Sequence, residues 1–199
     1  MAITFAVPPK VNSRDRLLIA AAAAFCASGY FAVSVEDIAA KAGVSRMTFY
    51  RHFAGKAALA IALFEQNVAR AMPRVLAVSH YAQPDRNIVL NWLKDVFEAD
   101  RESGQLLRVF IQANVADSGF SEAAQTLLGT IIEELGKHIP AFALDPQAER
   151  KRWLEAWLLI YEILDQSNHA ARGAGVSTDP MVIEILADRF LEFVNGTAD

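Results

Sequence analysis

Apolar residues recur along this chain at helical intervals, and proline and glycine cut the recurrence into segments. After Pro84, the residues Ile88, Val89, Trp92, Leu93, Val96 and Phe97 fall at i, i+1, i+4, i+5, i+8 and i+9, one face of an α-helix, and Gly104 breaks the run. No stretch alternates apolar and polar residues between hairpin turns, so no strand is predicted. The pattern predicts an all-α chain of about nine helices. The first four cover about 13–27, 34–43, 45–53 and 55–72, with Pro73 ending the fourth. A fifth follows Pro84, a sixth covers 105–116 and a seventh 121–139. Asp145-Pro146 and Asp179-Pro180 each read as an N-cap followed by proline at the first helical position. They open an eighth helix reaching about 172 and a ninth reaching about 195.

The segment SVEDIAAKAGVSRMTFYRHF (34–53) carries the most specific pattern. Ser34 with Asp37 three positions on forms a capping box. Ala39 and Ala42 are small enough for two helices to cross closely. Gly43 can take the left-handed conformation that ends a helix, and Ser45 caps the next one. Phe49 and Phe53 share one face and are expected to form a small core with Ile38 and Val44 against the first helix. The opposite face presents Arg46, Met47, Tyr50 and Arg51. Arginine can donate two hydrogen bonds to guanine, and threonine can touch thymine methyls or phosphate, so this face suits a DNA major groove. Lys56, at the start of the next helix, suits a phosphate.

Charge changes the picture. The chain has a net charge of −4, which by itself argues against a nucleic-acid binder. Residues 1–60, however, hold Lys10, Arg14, Arg16, Lys41, Arg46, Arg51 and Lys56 against Asp15, Glu36 and Asp37. That excess of +4 leaves −8 for the remainder, a basic end on an acidic body.

The segment resembles the TetR family of bacterial regulators. The likeness rests on the alanine/phenylalanine run of the first helix with Gly29-Tyr30, on DIAAKAGVS (37–45), on TFYRHF (48–53) and on Lys56 with Leu59. It implies a helix-turn-helix DNA-binding domain over 13–59, with its motif at 34–53, preceded by an arm over 1–12 and followed by a ligand-binding and dimerisation domain over 60–199. It also implies DNA contacts at Ser45, Arg46, Met47, Thr48, Tyr50 and His52 and a phosphate contact at Lys56; the outward face adds Arg51. Met47 departs from the family pattern, which often has glycine or another small residue there, and leaves base preference open. Several of these residues also have a structural reading, though Arg46, which follows the cap and points outward, is harder to explain that way. Tyr50 can cap the small core, Arg51 can be a solvated charge, His52 can bond backbone, and Ser45 and Thr48 can be local caps. Lys10, Arg14 and Arg16 are either a basic arm or a solvated helix start.

The C-terminal helices are apolar nearly all round. Trp153, Leu154, Trp157, Leu158, Leu159, Ile160, Tyr161, Ile163 and Leu164 cannot share one side, and the ninth helix repeats the pattern. A two-fold dimer would cover the excess. The expected interface comprises Leu158, Tyr161, Val182, Ile185, Leu186, Arg189 and Phe193. The resemblance further implies an effector pocket among helices four to eight, with candidate lining residues Phe64, Val68, Met72, Trp92, Val96, Phe97, Phe110, Ile111, Asn114, Trp153 and Trp157. Ordinary core packing is the competing reading for each.

The implied function is a homodimeric transcriptional regulator, a repressor released from a palindromic double-stranded DNA operator by a small, largely apolar effector. The competing functions are a helical small-molecule carrier without DNA binding and an all-helical enzyme. Nothing argues for the enzyme: His52, His80, His138 and His169 show no HExxH spacing, and no GxSxG elbow or phosphate loop occurs. No catalytic residue, cofactor or metal site is predicted, and the single Cys26 allows no disulfide framework. No apolar run approaches the ~18–20 residues of a membrane span. Residues 1–9 lack the basic start of a signal peptide, and the sequon at Asn195 is discounted with them, so a cytoplasmic protein is expected.

Overall fold

A computed structural model describes residues 12–116, 118–173 and 175–196. The expected arm over 1–12 lies outside them except for Asn12. The described residues are helical, without a strand, and the chain divides into two compact units after Leu63. The sequence placed that division after residue 59.

The first unit contains α1 (Ser13–Ser28), α2 (Val35–Ala42), α3 (Arg46–His52) and the opening turns of α4 (Lys56–Val75). Asn12 caps α1 by accepting from the Asp15 amide. Ser34 and Asp37 close the expected capping box, Ser34 Oγ accepting from the Asp37 amide and the Asp37 carboxylate from the Ser34 amide. Leu17, Ala21, Phe25, Ile38, Ala39, Ala42, Phe49, Phe53 and Leu59 are buried, and Val44 is half-buried at the turn. This is the small core that the spacing of Phe49 and Phe53 called for.

The second unit contains the rest of α4, α5 (Arg86–Glu102), α6 (Gly104–Ala116), α7 (Ser118–Gly136), α8 (Arg150–Ala171) and α9 (Met181–Asn195), with short 3-10 turns after α4, α7 and α8. Its core gathers Trp92, Leu93, Val96 and Phe97 of α5 with Ile131, Ile132 and Leu135 of α7, Ile160 and Ile163 of α8, and Leu186 and Phe190 of α9.

The helix α7 covers Ser118–Gly136 rather than 121–139, and two further helix ends depart from expectation for a visible reason. Pro73 does not end α4, which runs on to Val75. The Trp92 indole N–H lies 3.1 Å from the carbonyl of Arg74 and 2.9 Å from that of Val75, so these terminal acceptors find a donor, and Val75 is buried. Proline in a last turn forfeits one amide bond, and here packing outweighs that loss. Asp145 likewise does not open α8 directly. Its carboxylate accepts from the Gln147 and Ala148 amides, which builds a separate turn ahead of Arg150.

Candidate nucleic-acid interface and ligand cavity

The turn between α2 and α3 is fixed by backbone chemistry. Gly43 sits at φ +62°, ψ 40°, the left-handed region. Its amide returns to Ala40 O at 3.0 Å, and the Val44 amide to Ala39 O at 3.0 Å. The carbonyls left over at the end of α2 are taken by Arg16 of α1. Its guanidinium donates to Gly43 O at 2.9 Å and to Ala42 O. A Cβ on residue 43 would stand 2.7 Å from Arg16 Nη2. Arg14 lies with its guanidinium carbon 5.4 Å from the Phe53 ring centre. Both arginines thus engage their own unit, closer to the solvated-start reading than to a free arm.

Ser45 caps α3, accepting from the Thr48 amide at 3.1 Å and bonding the Thr48 hydroxyl at 2.9 Å. Phe49 faces inward and is fully buried. On the opposite side Met47 is 84% exposed and Tyr50 44%, with Arg46 and Arg51 exposed beside them. Arg46 Nε stands 3.1 Å from a Glu36 carboxylate oxygen, and its guanidinium carbon 5.5 Å from the Tyr50 ring centre. Tyr50 first, then Glu36, hold the Arg46 guanidinium still more firmly in its charged form.

Two expected contacts are placed differently from the rest. His52 Nε2 lies 2.6 Å from Ser13 Oγ, a side-chain bond that ties α3 to α1. Lys56 Nζ donates to the carbonyls of Tyr30 and Val33, both at 2.9 Å, and lies 4.4 Å from the Tyr30 ring centre. Partial burial pushes its ammonium down from the ordinary lysine value. Lys56 therefore closes the loop between α1 and α2. Sequence reasoning missed Arg16, Glu36 and Ser13 as partners of this site, because nothing local marks a side chain that reaches across 10 to 39 residues.

In the second unit a cavity of about 90 Å³ opens among α4, α5, α6, α7 and α8. Of the residues named from the sequence, Phe64, Val68, Met72 and Val96 line it. Trp92 and Phe97 sit in the core, Trp92 against Phe190, and Phe110 lies against Phe64 and Phe120. Ile111 and Asn114 are exposed. Trp153 is half-buried under the Arg150 guanidinium, and Trp157 stacks on Tyr161. The polar members of the lining, Asn67, Asp100 and Asn168, were not foreseen. Each is a polar residue on an otherwise apolar stripe, and that was the available sign.

The outer faces of α8 and α9 carry Leu154 (39% exposed), Leu158 (58%), Tyr161 (48%), Met181 (64%) and Ile185 (50%). Val182 and Phe193 are half-buried, and Arg189 pairs with Glu162. Leu186 is buried against the core. Among the described residues no cluster of His, Cys, Asp or Glu could hold a metal, and no helix is long and apolar enough to cross a membrane.

The first unit is a tri-helical head whose α2 and α3 form a helix-turn-helix with one face of α3 outward, and it is joined in sequence to a helical unit with an internal cavity. Residues 17–63 match the bacterial regulatory proteins of the tetR family. Over 60 residues the chain is 40% identical to the HTH-type transcriptional activator FasR of Mycolicibacterium smegmatis, a stretch that makes up 30% of this chain and 27% of that protein. The chain thus aligns with about a quarter of the length of this curated relative. Among solved structures, it resembles a TetR-like transcriptional regulator from Rhodococcus sp. RHA1, with a TM-score of 0.62 and 19% identity over 96% of this chain and 100% of that one. A putative regulator from Streptomyces coelicolor A3(2) gives a TM-score of 0.66 and 19% identity over 93% and 99%. A putative TetR-family regulator from Mesorhizobium loti gives 0.61 and 20% over 92% and 94%. At these identities the likenesses show the fold. Residues 17–63 thus match the tetR-family domain, and the chain has the fold of these solved structures.

Proposed function

We propose that the chain is a homodimeric transcriptional regulator that reads a palindromic DNA operator with α3 and leaves it when a small effector occupies the cavity of the second unit. The observation that carries this is the two-sided α3. Phe49 is locked in the core by a capped, glycine-turned approach from α2, while Arg46, Met47, Tyr50 and Arg51 stand outward with no apolar covering. An arginine beside an aromatic ring at the start of a short helix is chemistry suited to guanine edges and phosphates.

The apolar stripes Leu154–Leu158–Tyr161 and Met181–Ile185 support self-association, because a second copy would cover them with the same surface. Arg189 and Glu162 would lie within such an interface, and Leu186 would lie beneath it. In a two-fold dimer the two copies of α3 reach successive half-sites about one helical turn apart. An effector that prefers a different spacing lowers operator affinity through its differential affinity for the two states.

The test is selection of duplex sequences from a random pool, followed by titration of the winning sequence. Arg46→Ala and Tyr50→Ala are each expected to weaken binding about tenfold to a hundredfold. Unchanged binding in both variants would remove α3 as the reading element. A reporter driven from the selected operator then reads the sign of regulation, with repression expected.

A further inference from the structure

Among the described residues, Asp100 is the one carboxylate that lines the cavity, and none of them gives it a cation. Its Oδ2 accepts from Ser167 Oγ at 2.7 Å and from Asn168 Nδ2 at 3.2 Å. Ser167 is fully buried, so this donor is fixed. No side chain among the described residues donates to Oδ1, and no lysine, arginine or histidine pairs with the carboxylate. The nearby cations are committed elsewhere: Arg74 to Glu102 at 2.8 Å and Arg70 to buried Asn67. The rest of the lining is hydrocarbon, from Phe64, Val68, Met72, Leu107 and Ile131 among others.

A carboxylate drawn out of water is stabilised by an opposite charge far more than by neutral donors. Here the described residues supply two neutral donors, both on Oδ2, to a carboxylate that lines the chamber. Desolvation accordingly pushes the Asp100 carboxyl above its ordinary value. A ligand carboxylate would be repelled, and a neutral ligand would leave the charge uncompensated. We infer that the chamber takes a compact apolar amine, its ammonium group on Asp100 Oδ1 and its carbon body among Phe64, Val68, Met72 and Leu107. This rests on the reading of the cavity as the effector site.

The size fits a small occupant that opens the wall. The chamber of about 90 Å³ would hold roughly three waters. A neighbouring cleft of about 330 Å³ shares Asn67, Ala71 and Ala99 with it and is flanked by Arg70, Arg74 and Glu102. The shared wall of small residues is the way in.

Benzylamine, benzyl alcohol and benzoate share one ring and differ in the head group, so they serve as probes in calorimetric titration of the full chain. Benzylamine is expected to bind at least tenfold more tightly than benzyl alcohol, with benzoate not binding. Asp100→Asn is expected to bring the amine down to the level of the alcohol. Ala71→Phe, which plugs the shared wall, is expected to abolish both. Equal binding of amine and alcohol, a preference that survives Asp100→Asn, amine binding indifferent to Ala71→Phe, or no binding of any probe would each overturn the inference. Operator binding by the unmodified chain is measured alongside. Specific DNA binding without amine binding sinks this inference alone, whereas amine binding without DNA binding sinks the regulator reading alone.

Discussion

Arg46 and Glu36 form an ion pair from α3 to α2, Nε to carboxylate at 3.1 Å, on the face that α3 would present to DNA. Both side chains are more than half exposed, so the pair adds little to folding. Under the proposed function its weight falls on recognition, because the carboxylate would compete with DNA for the same guanidinium and add a negative charge near the phosphates. Glu36→Gln is expected to tighten operator binding severalfold, measured by fluorescence anisotropy, with an unchanged melting temperature. Weaker binding would mean that Glu36 holds Arg46 in its productive pose.

The turn offers a second prediction. Gly43 at φ +62° is strained by any Cβ, and a Cβ there would also press on the Arg16 guanidinium 2.7 Å away. Gly43→Ala is expected to cost about 1–2 kcal/mol of stability. Arg16→Met keeps the glycine and removes the donor that serves the Ala42 and Gly43 carbonyls. Both variants are expected to lower the melting temperature in thermal unfolding followed by circular dichroism. A wild-type melting curve for Arg16→Met would show that the clamp is idle.

The second unit separates surface from core within one helix. Leu158→Glu and Ile185→Glu place charges on half-exposed apolar sites and are expected to yield folded monomers in sedimentation velocity. Leu186 is buried, so Leu186→Ala is expected to cost about 2–5 kcal/mol of stability. Dimers that persist in both charged variants would place the interface elsewhere.

Asp100 gives the pH dependence. Its carboxyl value is raised in the folded chain, so the folded state binds the proton more tightly than the unfolded state does. The resulting penalty is absent below the ordinary aspartate value, grows as pH climbs toward the raised value, and is complete above it. Asp100→Asn retains a carbonyl acceptor for Ser167 and Asn168 and removes the charge. It is therefore expected to melt higher than the parent near neutral pH and to lose that advantage in acid. An advantage that persists at low pH would assign the gain to packing.

Much of this fold was legible because its helix ends are written locally. The Ser34/Asp37 box and the left-handed Gly43 involve residues within four positions of one another. Pro73 misled because its outcome depends on a distant partner, Trp92, which donates to the last carbonyls of α4, and Asp145 because its carboxylate closes a separate turn that delays α8. The outward face of α3 was legible for the same reason as the helix, since Phe49 inward fixes Met47 and Tyr50 outward. The cavity was less so. Helical spacing says that Trp92, Phe97 and Phe110 are buried, but not whether a neighbouring side chain or a void lies opposite.

The fate of Lys56 bears on how firmly such a head can hold a polyanion. Six of the seven basic residues in the first sixty lie in the described part, and three of these, Arg14, Arg16 and Lys56, are turned to rings or carbonyls of their own unit. Counting charges along the chain therefore overstates the grip. With Lys41, Arg46 and Arg51 left among the described residues of each subunit, these would displace about six counterions in a dimer, a contribution that falls with roughly the fifth power of ionic strength.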